Sequence, residues 1–235
     1  MIDAIDGRLL YELDLNARQS LSMLAKKLRI NKNVLLYRFN RLRKLGIIKY
    51  AFAEINSVGL GYNSFRMFFK LGNFTKEQEE ALIAFLLAQK SLTWFSRVLG
   101  KWDIDIVYTT KDIAEFDSFR KELFNKHNKI IEDFSISLLR DIYSYPKSYL
   151  VSRELIERAP KHFVPASYTL DEKDVKLLFL LTKNAMTPII ELAKQTELSI
   201  NTVKKKMKTL EKNNIILSYR LFIDSHKLGY EYYKL

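Results

Sequence analysis

The sequence predicts an α+β fold in which two copies of a small three-helix unit, each followed by β-rich sequence, lie on either side of a βαββαβ domain. The first reason is an internal repeat. Asp3, Asp6, Leu9-Leu10, Asn16-Ala17, Leu24-Ala25-Lys26, Leu42, Ile47-Ile48 and Leu60-Gly61-Tyr62 recur without a gap 168 positions later, as Asp171, Asp174, Leu177-Leu178, Asn184-Ala185, Leu192-Ala193-Lys194, Leu210, Ile215-Ile216 and Leu228-Gly229-Tyr230. That period is too long for a solenoid and reads as duplication of a whole unit. The second reason is hydrophobic periodicity, helical in the repeats and mixed between Leu60 and Leu150. The third is a segregation of charge that follows the same boundaries.

Within each repeat the pattern gives three helices: residues 4–15, 20–28 and 32–45 in the first, and 172–182, 187–196 and 200–213 in the second. On the third helix Leu35, Phe39 and Leu42 share one face, and Val203, Met207 and Leu210 repeat that stripe. Asn31 and Ser199 stand where an N-cap belongs. Gly46 and Asn214 stand just past the end, where a left-handed residue closes a helix. "IIKYAFAEI" and "IILSYRLFI" then read as a pair of strands in each copy, a hairpin wing. The two helical units are expected to fold independently.

The middle of the chain reads strand ("YNSFRMFFKL"), helix ("TKEQEEALIAFLLAQ", opened by a Thr75–Gln78 capping box), strand ("LTWFSRVLG"), strand ("WDIDIVYTT"), helix ("DIAEFDSFRKELFNKH") and strand ("IIEDFSISLLRDIYSY"). This is the ferredoxin-like order. Trp94 and the Phe-rich strands are expected in its core. Expected boundaries are 1–58 and 169–235 for the helical units, 59–150 for the ferredoxin-like domain and 151–168 for a Pro-containing linker. The chain stops at "LGYEYYKL", where a second ferredoxin-like domain is expected to begin, so it holds one and a half copies of the unit.

Charge points to a partner. The 235 residues carry a formal charge of +12. Between Asn16 and Ala53 stand Arg18, Lys26, Lys27, Arg29, Lys32, Arg38, Arg41, Arg43, Lys44 and Lys49, with no Asp or Glu. From Tyr62 to Leu150 bases and acids nearly balance, and the excess returns after Thr182. Segregation of this kind marks two electropositive surfaces suited to a polyanion. There is no cysteine, which excludes disulfides and thiolate metal sites and fits a reducing, cytoplasmic setting. The N-terminus lacks a signal-peptide pattern, and "ALIAFLLA" is far short of the ~20 apolar residues of a membrane span. P-loop, GxGxxG, GxSxG and HExxH motifs are absent, and His127, His162 and His226 lack metal-ligand spacing, so neither metal nor cofactor is expected.

Residues Ala4 to Tyr62 resemble the winged helix-turn-helix of the Lrp/AsnC (feast/famine) transcription regulators. The family's opening "LDxxD" is matched by Ile2, Asp3 and Asp6, and again by Leu170, Asp171 and Asp174. Its "aR" is Ala17-Arg18, its "LA" is Leu24-Ala25, and its "RxxRLxxxGvI" is Arg38, Arg41, Leu42, Gly46, Ile47 and Ile48. The second copy departs at Lys206, Thr209 and Asn214. The resemblance implies a DNA-binding regulator that dimerises through its ferredoxin-like domain and takes a small effector such as an amino acid. In that domain the family's "GxxD" turn is matched by Gly100, Lys101, Trp102 and Asp103, the expected effector-binding residues.

Helix three is the expected reader of double-stranded DNA, since the major groove admits a helix. The buried stripe leaves Lys32, Asn33, Leu36, Tyr37 and Asn40 outward, with Arg38 and Arg41 at the flanks for phosphate or guanine. Lys26, Lys27 and Lys49 are expected phosphate anchors. In the second copy Asn201, Lys204, Lys205 and Lys208 take the outward places, a point-charge face suited to affinity more than sequence choice; its alternative role is a partner surface that has lost DNA. The predicted function is a sequence-specific regulator, homodimeric or a higher even oligomer and not an enzyme. An architectural DNA binder is one alternative. Siroheme decarboxylases also resemble the Lrp/AsnC plan, and an enzyme of that kind is the other.

Overall fold

The computed structural model describes residues 2–139, 143–151, 161–162 and 168–231. The helices and strands run in chain order as α1 (Ala4–Leu15), α2 (Leu21–Leu28), α3 (Lys32–Lys44), β1 (Ile48–Ile55), β2 (Asn63–Leu71), α4 (Lys76–Leu87), β3 (Leu92–Arg97), β4 (Ile104–Thr110), α5 (Ile113–His127), β5 (Ile131–Leu139), β6 (Tyr143–Ser144), β7 (Lys161–His162), α6 (Glu172–Lys183), α7 (Ile189–Thr196), α8 (Ile200–Lys212) and β8 (Ile216–Ile223). The mixture is α+β, as expected. Most of the expected linker, at 152–160 and 163–167, lies outside the described residues.

Of the described residues, those from Ser57 to Leu139 form one compact unit. It is the expected ferredoxin-like domain, a four-stranded sheet in the order β3-β4-β2-β5 with every pair antiparallel. The Thr75 hydroxyl accepts the Gln78 N–H and Gln78 returns the bond to the Thr75 N–H, so the capping box forms. Met67, Phe69, Leu71, Ile104, Ile106 and Tyr108 on the sheet meet Leu82, Leu86, Phe116, Phe119 and Leu123 on the helices. Strand alternation sends the neighbouring residues to the other face. There Asp105, fully buried, takes both arms of the Arg66 guanidinium at 3.0 and 3.2 Å. Trp94 is not core: its partner across the ladder is Val107, which faces away from the helices, and it remains 45% exposed.

The other compact unit contains both helical heads. The expected hairpin wings do not form. Each head contributes one strand, and β1 pairs antiparallel with β8. The reason is in the sequence: neither eight-residue strand contains a turn signal on which to double back, while each has an edge that its duplicate satisfies. The pairing is two-fold symmetric in the backbone. Ile48 lies opposite Ile223 and Ile55 opposite Ile216, residues that are themselves equivalent in the repeat. Ala17 donates its N–H to Tyr219 O and Ala185 donates to Ala51 O, both at 2.9 Å; Asn56 to Ile215 O and Asp224 to Ile47 O repeat the relation, again at 2.9 Å. The heads are therefore not separate bodies, and the boundary expected at 150 also moves. Residues 143–151 belong with the heads, where Lys147 reaches Asp14 and the Leu150 carbonyl lies over Gly7 so closely that a Cβ there would sit at 2.3 Å from it.

Side chains across this joint are asymmetric. At one end Asp14, fully buried, accepts from Arg220 Nη2 at 2.7 Å and Lys147 Nζ at 2.6 Å. Burial pushes the Lys147 pKa down, with Asp14 opposing it. At the other end Arg18 donates to the carbonyls of Ala185 and Thr187 at 2.5 and 2.9 Å and lies against the Tyr219 ring. Burial raises the Tyr219 pKa, and its hydroxyl bonds Glu211 at 2.6 Å. Removing one partner of a buried ion pair costs about 3–5 kcal/mol, because the other charge stays in a medium that does not solvate it. Arg220→Met is therefore expected to lower the unfolding free energy by about 3 kcal/mol, read from the urea midpoint at unchanged slope. A loss under about 1 kcal/mol would mean that Lys147 alone holds Asp14.

Candidate nucleic-acid interface

The site is built by a clamp between helix one and helix three. Asp3 caps α1: its carboxylate accepts the Asp6 N–H at 2.9 Å, and Asp6 accepts the Asp3 N–H at 3.2 Å. This box places two carboxylates side by side, and α3 answers with cations. Arg38 Nη1 reaches Asp3 at 2.7 Å and Asp6 at 2.8 Å, and Arg41 Nη2 also bonds Asp6. The second head repeats the device with one substitution, Lys206 Nζ meeting Asp171 at 2.6 Å and Asp174 at 2.9 Å. Asp6 and Asp174 are fully buried, so these ion pairs set how each third helix is rolled.

Charge is held firmly here. The Asp6 N–H first and the Arg38 guanidinium second keep the Asp3 carboxyl below the ordinary carboxylate range. For Asp171 the Lys206 ammonium leads and the Asp174 N–H follows. The pKa of Arg38 is raised, first by Asp3 and then by Asp6.

With Leu35, Phe39 and Leu42 buried and Arg38 and Arg41 turned to the acids, the opposite face of α3 is open. It carries Lys32, Asn33, Leu36, Tyr37, Asn40 and Lys44, all exposed; Tyr37 is 67% and Leu36 41% accessible. Tyr37 and Leu36 give this face an aromatic and an aliphatic surface beside its lysines and amides. Asn31 caps the helix by accepting the Asn33 N–H at 2.8 Å, and Gly46 turns left-handed after it.

On α8, Asn201, Lys204, Lys205 and Lys208 occupy the corresponding places and line an open concavity of about 380 Å³ with Thr209 and Lys212. Ser199 caps α8 through the Thr202 N–H at 3.1 Å, and Asn214 takes the left-handed place of Gly46. Of the remaining sequence candidates, Lys26 is exposed on α2, Lys27 pairs with Glu12 at 2.5 Å and Lys49 with Asp224 at 3.3 Å. The last two pairs are exposed, and exposed pairs are worth at most about 1 kcal/mol, so a phosphate can displace them. Arg38 and Arg41 are the candidates the fold employs internally. The repeat already signalled this, since Lys206 keeps the charge where Asp171 and Asp174 keep the acids.

In the other unit Gly100, Lys101, Trp102 and Asp103 come together at the β3–β4 turn, with Gly100 at a φ of +122°. Lys101 Nζ lies 4.6 Å from the Trp102 ring centre, and the Phe68 ring lies 6.0 Å from it. The Asp103 carboxylate accepts the Leu71 N–H at 2.8 Å and pairs with Lys70 at 3.1 Å, so it ties β4 to the end of β2. No group of three His, Asp or Glu residues suited to a metal is found among the described residues. Nor is any described helix long and apolar enough to cross a membrane.

The family described as winged helix-turn-helix DNA-binding matches the chain twice, at residues 2–49 and 170–216. The HTH-type transcriptional regulator LrpA of Pyrococcus horikoshii is 43% identical over 61 residues, which is 26% of this chain and 43% of that protein. The regulatory protein AsnC of Haemophilus influenzae is 36% identical over 64 residues, 27% of this chain and 43% of its own. The chain thus spans less than half the length of these curated relatives. Among solved structures, an AsnC family transcriptional regulator from Agrobacterium tumefaciens superposes with a TM-score of 0.55 at 20% identity, covering 62% of this chain and 95% of the other. The transcriptional regulator NMB0573 of Neisseria meningitidis, in its L-Met complex, gives 0.54 at 20% identity over 63% and 96%. The siroheme decarboxylase NirDL gives 0.62 at 16% identity over 93% of this chain and 65% of the other. At these identities the structures share the fold.

The clamp makes two expectations. Arg38→Lys is expected to cost less than about 1 kcal/mol, because Lys206 performs the same task in the second head, whereas Arg38→Ala weakens the hold on a buried carboxylate and is expected to cost about 2–3 kcal/mol. Thermal unfolding of both variants checks this, and equal losses would refute it. The second concerns acid. The folded-state pKa values of Asp3 and Asp171 are depressed, so their contribution is complete above about pH 4, the unfolded value, and disappears as pH falls through the folded values. Asp3→Asn combined with Asp171→Asn keeps the caps and removes the charge. The melting temperature of that variant is expected to fall less steeply from pH 5 to pH 2 than that of the parent.

Proposed function

We propose that this chain, which carries two winged helix-turn-helix DNA-binding segments on the domain plan of Lrp/AsnC-type regulators, is a sequence-specific DNA-binding transcription regulator of that type. The observation that carries the reading is the open face of α3. Asn33 and Asn40 present amide donors and acceptors suited to adenine edges, and Leu36 presents an apolar surface suited to a thymine methyl. The surrounding lysines supply the phosphate contacts that position without specifying. Arg38 and Arg41 serve the reading by fixing the roll of the helix. The ferredoxin-like domain joins two chains into a homodimer, and the turn at Gly100–Asp103 contributes to a small-molecule site. The L-Met complex of the Neisseria meningitidis neighbour supports an amino acid as the ligand class. Such a ligand alters operator affinity to the extent that it binds one arrangement of the dimer better than another. A reducing, cytoplasmic setting suits a cysteine-free DNA reader.

Two other readings each have one observation behind them. The lysine face of α8 suits an architectural binder with little sequence choice. The likeness to NirDL, which extends over most of the chain, suits a tetrapyrrole enzyme. Against the latter, His127 is the single histidine between Ser57 and Leu139, and it sits at the end of α5 beside the Phe85 ring.

Competition binding separates the three. A regulator is expected to prefer duplexes selected from random sequence over unrelated duplex by ~10³-fold or more. Tyr37→Ala with Asn40→Ala, both exposed, is expected to erase at least roughly ten-fold of that ratio, one bidentate base contact being worth about 1–3 kcal/mol. Equal affinity for all duplexes would make the protein architectural. A visible-absorbance change on adding a tetrapyrrole, without duplex binding, would favour the tetrapyrrole reading, and no spectral change would count against it.

A further inference from the structure

We infer that one chain supplies both halves of a single, asymmetric duplex-reading surface: α3 chooses bases, α8 holds backbone, and the stretch of duplex that one chain covers is non-palindromic. The inference rests on the DNA-binding reading above and names the kind of duplex involved. Three observations carry it.

The first is that the heads are joined as a pair within the polypeptide. The β1–β8 ladder and the reciprocal bonds from Ala17 and Ala185, and from Asn56 and Asp224, relate α3 to α8 by an approximate two-fold axis. Two third helices related in this way are what a two-fold reader presents to successive half-sites.

The second is that the joint accepts one head of each kind. The repeat places Thr182 at the position of Asp14, Phe52 at that of Arg220, and Met186 at that of Arg18. Two first heads pairing with each other would set the buried Asp14 against Phe52, without the cation that Arg220 provides. Two second heads would bury Arg220 against Thr182. Two first heads would leave each Asp14 with Lys147 alone, and two second heads would bury Arg220 without the Asp14 carboxylate, so the mixed pair is favoured.

The third is that the two presented faces differ at every central position. Where α3 shows Leu36, Tyr37 and Asn40, α8 shows Lys204, Lys205 and Lys208. The first set offers an apolar surface, a phenol and a planar amide, groups that distinguish one base edge from another. The second offers three flexible ammonium groups on one helix face, which bind phosphate as point charges and discriminate poorly. The supporting charge has changed as well: Arg29 and Arg43 of the first head are Glu197 and Glu211 in the second, and Glu197 is committed to Lys173 and Lys176 at 3.4 and 3.3 Å.

The test is selection from random duplex with the full chain, followed by hydroxyl-radical footprinting. Within the stretch that one chain covers, the expected consensus is one-sided and oriented, with a protected but sequence-neutral part about one helical turn away. A consensus that is palindromic within the stretch covered by one chain would overturn the asymmetric site while leaving DNA-directed regulation intact. Absence of duplex binding, or binding without any preference, would overturn both. A variant with Lys204→Ala, Lys205→Ala and Lys208→Ala changes exposed side chains and separates the halves. It is expected to weaken selected and unrelated duplexes by the same factor, to lower the salt slope by roughly 0.9 for each phosphate no longer neutralised, and to shorten the footprint on the neutral side. An unchanged affinity, or a weakening confined to the selected duplex, would refute the division of labour.

Discussion

The meeting of β1 with β8 is the constraint on which the helical unit depends. Each strand leaves its head with one edge of unpaired backbone, and the nearest equivalent edge belongs to the other head. Pairing satisfies those groups and closes a sheet that neither repeat can make alone. It also brings inward-facing Ala51, Ala53, Tyr219 and Leu221 out of water between the two sets of helices. The backbone keeps the symmetry of the duplication while the side chains have diverged from it. Asp14, Arg220 and Lys147 lie at one end and Arg18, Tyr219 and Glu211 at the other, so the joint is specific as well as stable.

The same economy is seen in the clamp. Two acids at the start of helix one serve at once as N-cap, as capping-box partner and as counter-ion for helix three. Fixing the roll of α3 by ion pairs on one flank, together with an apolar stripe, frees the remaining surface from any structural duty. That is why Tyr37 and Leu36 can stand in solvent without weakening the head. In the second head a lysine meets the same two acids, and Tyr168 adds its hydroxyl to Asp174 at 3.0 Å.

Much of this was legible in the sequence. The register of the repeat, the stripe Leu35-Phe39-Leu42, the caps at Asn31 and Ser199 and the left-handed Gly46 and Asn214 are local signals, and the helices begin and end within a residue or two of where those signals put them. The ferredoxin-like order followed from strand alternation together with two helical patterns, the first opened by a capping box. What was not legible was long-range. Strand propensity identifies β1 and β8 but cannot name the partner, and a hairpin was the nearest guess although no turn residue stood between two halves of either strand. Trp94 looked like core because it is large, but the period of two assigns it to the face that α4 and α5 leave uncovered. Gly7 gave no sign that the carbonyl of Leu150 would cross it, except that the second head carries Val175 at the same place. The tasks of Arg38 and Arg41 were readable in principle, because an acid pair and a cation persist together in both copies, but their place at the flanks of helix three had suggested phosphate or guanine instead.

Fusion of the two heads has a consequence for dosage. Strands that meet within one polypeptide do so intramolecularly, so their pairing does not depend on the number of molecules in the cell. Heads carried on separate chains would drift apart as copies became scarce. Here scarcity thins the population of head pairs without dismantling any of them.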